Sequence, residues 1–146
     1  MTAFQLPPKN DLKFALAGAG HHLCALAKML VVKGFPAPII VTHPRQEHER
    51  DRLLLDDPAV YEYVFDTAAT LGLKVIEAKS LNDDAIIEEL LGAGCTAAFS
   101  LSCRSIIRAP FIKAFENRVF NIHPSMLPRE RGGGTFSWRI LNGNPE

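Results

Sequence analysis

The chain has 146 residues, of which 47% are hydrophobic and 22% are charged, a composition that fits one globular domain and excludes a disordered or fibrous protein. Its 16 basic and 16 acidic residues cancel, so we expect neither DNA nor an anionic membrane surface as a partner. The 3 cysteines cannot all pair and lack metal-ligand spacing, which predicts no metal site and favours a reducing compartment, the cytoplasm. No apolar run approaches the roughly 18 residues of a membrane span, and the N-terminus lacks the pattern of a signal peptide.

Short apolar runs alternate with segments of helical periodicity after an N-terminal extension over residues 1–12. This alternation predicts one α/β domain over residues 13–146, with a doubly wound, Rossmann-like and mostly parallel sheet. Residues 42–58 lose the apolar period and alternate in charge, which predicts a solvated loop. Asn82 is expected to cap the helix that follows it. The predicted strands are 13–17, 39–41, 74–77, 96–101 and 118–122, and the predicted helices are 21–33, 60–71, 82–91, 110–115 and 135–141.

A glycine turn, Gly-Ala-Gly at residues 18–20, follows the first predicted strand. Such a turn can hold an anion at the N-terminus of the next helix, and a nicotinamide-dependent oxidoreductase is one protein class that uses it. Leu23 stands where the dinucleotide fingerprint has its third glycine, and no acidic residue ends the second strand, so this function is disfavoured. Two alternatives stay open: a tight turn without a ligand, and a contact with a polar substrate that involves His21 and His22.

Asn121 and His123 stand two residues apart at the end of the last predicted strand, and the two-residue period of a strand predicts that they project from the same face. Pro124 ends the strand, so the pair is expected at the carboxyl edge of the sheet, where doubly wound folds place their ligands. An amide donor can stabilise the oxyanion of a carbonyl under attack, while an imidazole moves the proton of the nucleophile. The pair therefore suits acyl transfer, and a structural hydrogen bond is the alternative for a histidine alone.

Residues 121–128, NIHPSMLP, followed by Arg-Gly at 131–132, resemble the signature of the folate-dependent formyltransferases. That family includes the glycinamide ribonucleotide, methionyl-tRNA and nucleotide-sugar amine formyltransferases. Upstream, SCRSII at residues 102–107 resembles the family's folate-binding loop, and downstream, WRILNG at 138–143 resembles the helix and turn that follow the signature. The resemblance extends from residue 13 onward and implies the N-terminal catalytic domain of that family.

The resemblance also implies roles for individual residues. Asn121 would donate a hydrogen bond to the formyl oxygen, and His123 would stabilise or transfer charge as a substrate amine attacks. The formyl donor would be formyltetrahydrofolate, and the acceptor a primary amine of a small molecule, a nucleotide sugar or an aminoacyl group. Core packing is the alternative role for the two isoleucines of the loop. The residues expected to line the folate site are Ser102, Arg104, Ser105, Ile106 and Ile107.

In that family, a carboxylate that orients the histidine lies on a later loop, beyond the position that corresponds to residue 146. We therefore expect the sequence to be a fragment whose sheet lacks its last strands and whose fifth strand lies at an edge. Such a fragment would bind folate but turn over poorly. An exposed edge strand would also favour self-association into a homo-oligomer. The alternative function is a non-catalytic folate-binding module.

Overall fold

A computed structural model describes residues 5–55 and 62–143, which form one five-stranded sheet. The strands are β1 (Phe14–Gly18), β2 (Ile39–Thr42), β3 (Val75–Glu77), β4 (Ala97–Leu101) and β5 (Val119–Ile122). Their order is β3-β2-β1-β4-β5, and every neighbouring pair is parallel. The order runs outward from β1 in both directions, which confirms the predicted doubly wound topology.

The described residues contain six α-helices. They are α1 (His21–Val32), α2 (Arg45–Leu55), α3 (Val64–Leu71), α4 (Asp84–Gly92), α5 (Ala109–Ala114) and α6 (Thr135–Leu141). The start of the helix predicted at residue 60 lies outside the described residues, and the described helix begins at Val64. Within residues 5–55 and 62–143, no helix combines the length and the apolar character needed to cross a bilayer.

Two apolar layers cover the two faces of the sheet, because successive side chains of a strand point to opposite faces. Phe14 and Leu16 of β1 pack with α1 and α3, whereas Ala15 and Ala17 of β1 pack in the layer that holds α4 and α5. Leu12 joins the first layer, just after a short 3-10 helix at Lys9–Asp11. All of β1 is buried, so it is the central strand around which the two layers are built.

The strand β5 lies at one edge of the described sheet, as predicted, and pairs there with β4. Its last two residues, Asn121 and Ile122, are exposed, whereas the strand's first two residues are half-buried. The edge therefore presents side chains of β5 to ligands as well as to solvent.

The helix α2 occupies most of the segment predicted as a solvated loop, and that prediction is wrong for residues 45–55. The helix contacts the sheet through a buried polar residue, so its sequence lacks the apolar periodicity that would have predicted a helix. His48 is 0% exposed, and its Nε2 lies 2.8 Å from Oγ1 of Thr42 at the end of β2. Its ring stacks on that of His43 with 3.7 Å between centroids. An imidazole pair thus takes the place of the usual apolar stripe of a helix.

The buried imidazoles of this pair favour their neutral forms. Burial first, and then the proximity of His43, lower the pKa of His48 to about 4. The pKa of His43 is also lowered, by burial and then by the Arg104 guanidinium. Protonation of either ring is therefore less favourable in the folded chain than in the unfolded chain.

The role predicted for Asn82 as a helix cap is also wrong. The helix α4 begins at Asp84, and Asp83 precedes it as the cap residue, without a side-chain capping bond. Asn82 lies one position too early, and its amide instead binds the backbone of the segment that follows β4.

Acidification is expected to destabilise the fold through His48. Below its ordinary pKa of 6.5 the unfolded chain binds a proton that the folded chain does not bind until about pH 4. The free energy of unfolding should therefore fall as the pH drops from 6.5, by about 3 kcal/mol at pH 4. Thermal unfolding measured across this pH range should show a flatter pH dependence for His48→Gln than for the wild type.

His22→Gln, at an exposed histidine, is the matched control and should keep the wild-type pH dependence. An unchanged profile for His48→Gln would contradict the assignment of the acid sensitivity to α2.

Candidate functional site

The predicted catalytic pair lies at the carboxyl edge of the sheet, next to the predicted folate loop. Asn121 is the register partner of Ser100, and Ile122 is the register partner of Leu101. Ser102 and His123 are thus the first residues after two neighbouring parallel strands. The strand pairing brings the start of the loop and the pair to one edge.

The imidazole of His123 is oriented by a backbone carbonyl. Its Nε2 lies 2.8 Å from the carbonyl oxygen of Glu130. Because a carbonyl oxygen only accepts hydrogen bonds, Nε2 must carry the proton. In the neutral ring, Nδ1 is then the atom with a lone pair that can accept a proton. His123 itself is half-buried, so it remains within reach of a ligand.

Glu130 closes the segment that follows β5. Its carbonyl oxygen also accepts a hydrogen bond from Oγ of Ser125 at 2.6 Å, and its Oε2 accepts one from the backbone N–H of Met126 at 3.2 Å. The same carboxylate lies 3.7 Å from Nε of Arg139 in α6. Glu130 was not among the predicted site residues, because a partner that binds through its main chain leaves no signal in the sequence.

The side chain of Arg104 is directed towards α2. Its Nη1 lies 2.7 Å from Oε2 of Glu47, and its Nη2 contacts Oδ2 of Asp51. The guanidinium is therefore neutralised by two carboxylates of the helix. The side chain of Arg104 therefore links the loop to α2.

Of the remaining predicted loop residues, Ser105 and Ile107 contact other parts of the chain, whereas Ser102 and Ile106 are exposed. Oγ of Ser105 accepts a hydrogen bond from the backbone N–H of Leu81 at 3.0 Å. Ile107 packs against the second core layer, the alternative raised for this residue. Ile106 is 76% exposed, and Ser102 is exposed in a left-handed conformation with φ of 51°. Of these residues, Ile106 offers the largest apolar surface to a ligand.

Two of the cavities formed by the described residues lie near this edge, and these two are not lined by Asn121 or His123. The first, of about 20 Å³, is lined in part by His43, Cys103 and Arg104, and it has room for about one water molecule. The second, of about 240 Å³, is called the arginine-lined cavity below. Its lining includes Arg129, Glu130, Arg131, Trp138, Arg139 and Asn142.

The cysteine of the loop has no features of a nucleophile. Burial raises the pKa of the Cys103 thiol, so the thiolate is disfavoured. Within the part of the chain that the structure describes, no group of three or more His, Cys, Asp or Glu residues is placed to hold a metal ion.

The first glycine of the turn has a steric role. Gly18 has φ of +133°, and a Cβ at this position would lie 1.8 Å from the carbonyl oxygen of Leu101. Only glycine allows β1 and the end of β4 to approach so closely. His21, beyond the turn, lies with its Nδ1 3.3 Å from Oε2 of Glu62 and is exposed. Packing therefore explains the glycine at position 18, and a contact of His21 and His22 with a polar substrate stays a prediction.

The fold resembles those of solved formyltransferases. Glycinamide ribonucleotide transformylase 1 from Symbiobacterium toebii superposes with a TM-score of 0.66 at 20% identity, over 98% of this chain and 66% of that one. WlaRD, a sugar 3N-formyl transferase crystallised in the presence of dTDP and 5-N-formyl-THF, gives a TM-score of 0.61 at 18% identity, over 91% of this chain and 42% of that one. At these identities the likeness shows a shared fold.

The sequence is similar to that of a curated enzyme as well. The methionyl-tRNA formyltransferase of Parabacteroides distasonis is 28% identical over 142 residues, which cover 94% of this chain and 41% of that protein. The chain thus spans about two fifths of the length of this relative. A family model described as formyl transferase matches residues 12–146. Because this match includes nearly the whole sequence, the chain belongs to the formyl transferase family.

Proposed function

We propose that the chain transfers a formyl group from formyltetrahydrofolate to the primary amine of a small-molecule acceptor. The observation that carries this proposal is the position of Asn121 and His123 at the end of β5, beside the loop that begins at Ser102. The family match supports formyl transfer in general, and the donor and acceptor are our inference.

In the proposed reaction, bound formyltetrahydrofolate would supply the formyl carbon that the acceptor amine attacks. The Asn121 amide, exposed at the strand end, would donate a hydrogen bond to the formyl oxygen and stabilise the negative charge that develops there. Nδ1 of His123 would take the proton that the attacking amine releases, because Nε2 is engaged with Glu130. The same proton can then pass to the leaving nitrogen, which restores neutral His123.

The orienting partner of His123 is a neutral main-chain group. A carboxylate would stabilise the imidazolium by charge, whereas the Glu130 carbonyl is neutral and fixes mainly the tautomer and the ring orientation. We therefore expect turnover below that of a comparable site with a carboxylate partner. A chain that binds folate without measurable transfer would support the alternative of a non-catalytic folate-binding module.

The loop after β4 is suited to the donor. Ile106 presents an exposed apolar side chain on which a flat pteridine ring can lie, and the loop backbone offers hydrogen-bonding groups. The small cavity lined by Cys103 and Arg104 is too small for such a ring. We therefore place the pteridine on the exposed side of the loop, against Ile106.

The arginine-lined cavity is suited to the acceptor. It adjoins His123 through Glu130, whose carbonyl oxygen is bound by the imidazole. Its guanidinium groups favour an anionic acceptor, and the indole of Trp138, which is exposed, offers a face for stacking. These features favour an amine that carries a phosphate or carboxylate group.

Substitution of His123 is expected to abolish transfer without unfolding the chain. His123→Gln keeps a side-chain N–H for the Glu130 carbonyl but has no basic nitrogen. Because general base catalysis contributes about 10²–10⁴-fold, formyl transfer to a panel of anionic amines should fall by about that factor in both His123→Gln and His123→Ala. Activity in His123→Gln equal to that of the wild type would exclude the imidazole as the base.

Substitution of Ile106 is expected to weaken donor binding. In Ile106→Glu a charged side chain replaces the apolar surface proposed to contact the pteridine, so the affinity for 5-formyltetrahydrofolate should fall at least about tenfold. Val32→Glu is the matched control, because Val32 is also an exposed apolar residue, 83% exposed, at the end of α1. Titration followed by the fluorescence of Trp138 measures both variants.

Equal affinities of Ile106→Glu and the wild type would show that the donor binds elsewhere. The same titration with NAD separates this function from that of an oxidoreductase, for which the dinucleotide would bind and the folate would not.

A further inference from the structure

Asn82 joins the segment between β3 and α4 to the loop proposed to bind the donor. Its Nδ2 donates a hydrogen bond to the carbonyl oxygen of Ile106 at 2.8 Å, and its Oδ1 accepts one from the backbone N–H of Arg108 at 2.8 Å. The Asn82 amide therefore binds the main chain on both sides of Ile107: a carbonyl acceptor before it and an N–H donor after it. The side chain completes the hydrogen bonding of backbone groups that the loop itself leaves unpaired.

The neighbours of Asn82 strengthen this connection. The backbone N–H of Leu81 donates to Oγ of Ser105 at 3.0 Å, so three hydrogen bonds link residues 81–82 to residues 105–108. The backbone N–H of Asn82 itself donates to Oγ of Ser80 at 3.1 Å, which holds Asn82 in place. The loop is thus fixed to the β3–α4 segment at three points, residues 105, 106 and 108.

The opposite side of the loop is held by a different interaction. Arg104 is bound to Glu47 and Asp51 of α2, while residues 105–108 are bound to the segment at 81–82. The loop as a whole, residues 102–108, has no regular secondary structure. Its conformation is therefore determined by side chains from other parts of the chain, and the attachment at Asn82 is the one nearest to Ile106.

We propose that Asn82 is a positioning residue for the formyl donor, an inference that rests on the proposed function. The amide fixes the backbone on both sides of Ile107, and this fixes where the exposed Ile106 side chain meets the pteridine. A loop held before the ligand arrives loses less conformational freedom on binding, so donor affinity is higher than for a mobile loop. Asn82 does not itself need to touch the donor.

The first measurement tests the attachment without any ligand. Amide hydrogen exchange of Arg108 should be at least about tenfold faster in Asn82→Ala, because its N–H loses its acceptor. Asn82→Asp keeps Oδ1 for Arg108 but turns a second carboxylate oxygen towards the Ile106 carbonyl. In that variant the Arg108 amide should stay protected. Unchanged exchange in Asn82→Ala would overturn the inference.

The second measurement tests the consequence for the donor. The affinity for 5-formyltetrahydrofolate should fall about tenfold in Asn82→Ala and also in Asn82→Asp, where the bond to the Ile106 carbonyl is lost. Thr70→Ala is the matched control, since Thr70 also binds a backbone carbonyl, that of Asp66 at 2.9 Å, but in α3. The control should bind like the wild type.

The outcomes separate the inference from the proposed function. A wild-type chain that does not bind the folate would overturn both. Wild-type binding with equal affinity in both Asn82 variants would overturn the positioning role and leave the proposed function intact. Unfolding temperatures are measured for each variant, because a purely structural role predicts a lower unfolding temperature in Asn82→Ala with no loss of affinity in the folded protein. If Asn82→Ala does not fold, Asn82→Asp still decides the question.

Discussion

The parallel pairing of β4 with β5 is the interaction on which the candidate site depends. It aligns Leu101 with Ile122, so the loop and the Asn121/His123 pair begin at adjacent points of one edge. The pairing of β1 with β4 is the next requirement, and it is possible because Gly18 has no Cβ to meet the Leu101 carbonyl. Backbone geometry alone thus brings Asn121 and His123 to the same edge of the sheet as the loop.

Polar contacts from other parts of the chain then hold the loop at this edge. The helix α2 is seated through His48 and holds the Arg104 guanidinium, while Asn82 holds the other end of the loop. Such contacts need defined distances and angles, so they fix a conformation more narrowly than apolar packing does. Their dependence on charge also makes this edge more sensitive to pH than the apolar layers beneath the sheet.

The strands and the doubly wound order could be predicted because apolar periodicity reports burial directly. The edge position of β5 was instead expected from the resemblance to the formyltransferases. The position of Asn121 and His123 at the end of β5 could be predicted because Pro124 ends the strand. The helix α2 could not be predicted in this way, since its buried contact is a stacked imidazole rather than an apolar stripe. Asn82 has the residue type of a helix cap. Only the tertiary structure shows that its amide binds the carbonyl oxygen of Ile106, 24 residues away. The partner of His123 was hidden for a similar reason, because its binding group belongs to the main chain.

The partner of His123 is a main-chain carbonyl group, and this affects how the site would tolerate sequence change. Every amino acid carries the same carbonyl group, so replacement of Glu130 does not by itself delete the acceptor of the His123 hydrogen bond. Alanine scanning would accordingly overlook the group that selects the tautomer. Sequence drift at this position would be tolerated as long as the segment between residues 123 and 130 kept its path. The tautomer of His123 is thus determined by the backbone path between residues 123 and 130 and not by the identity of the side chain at position 130.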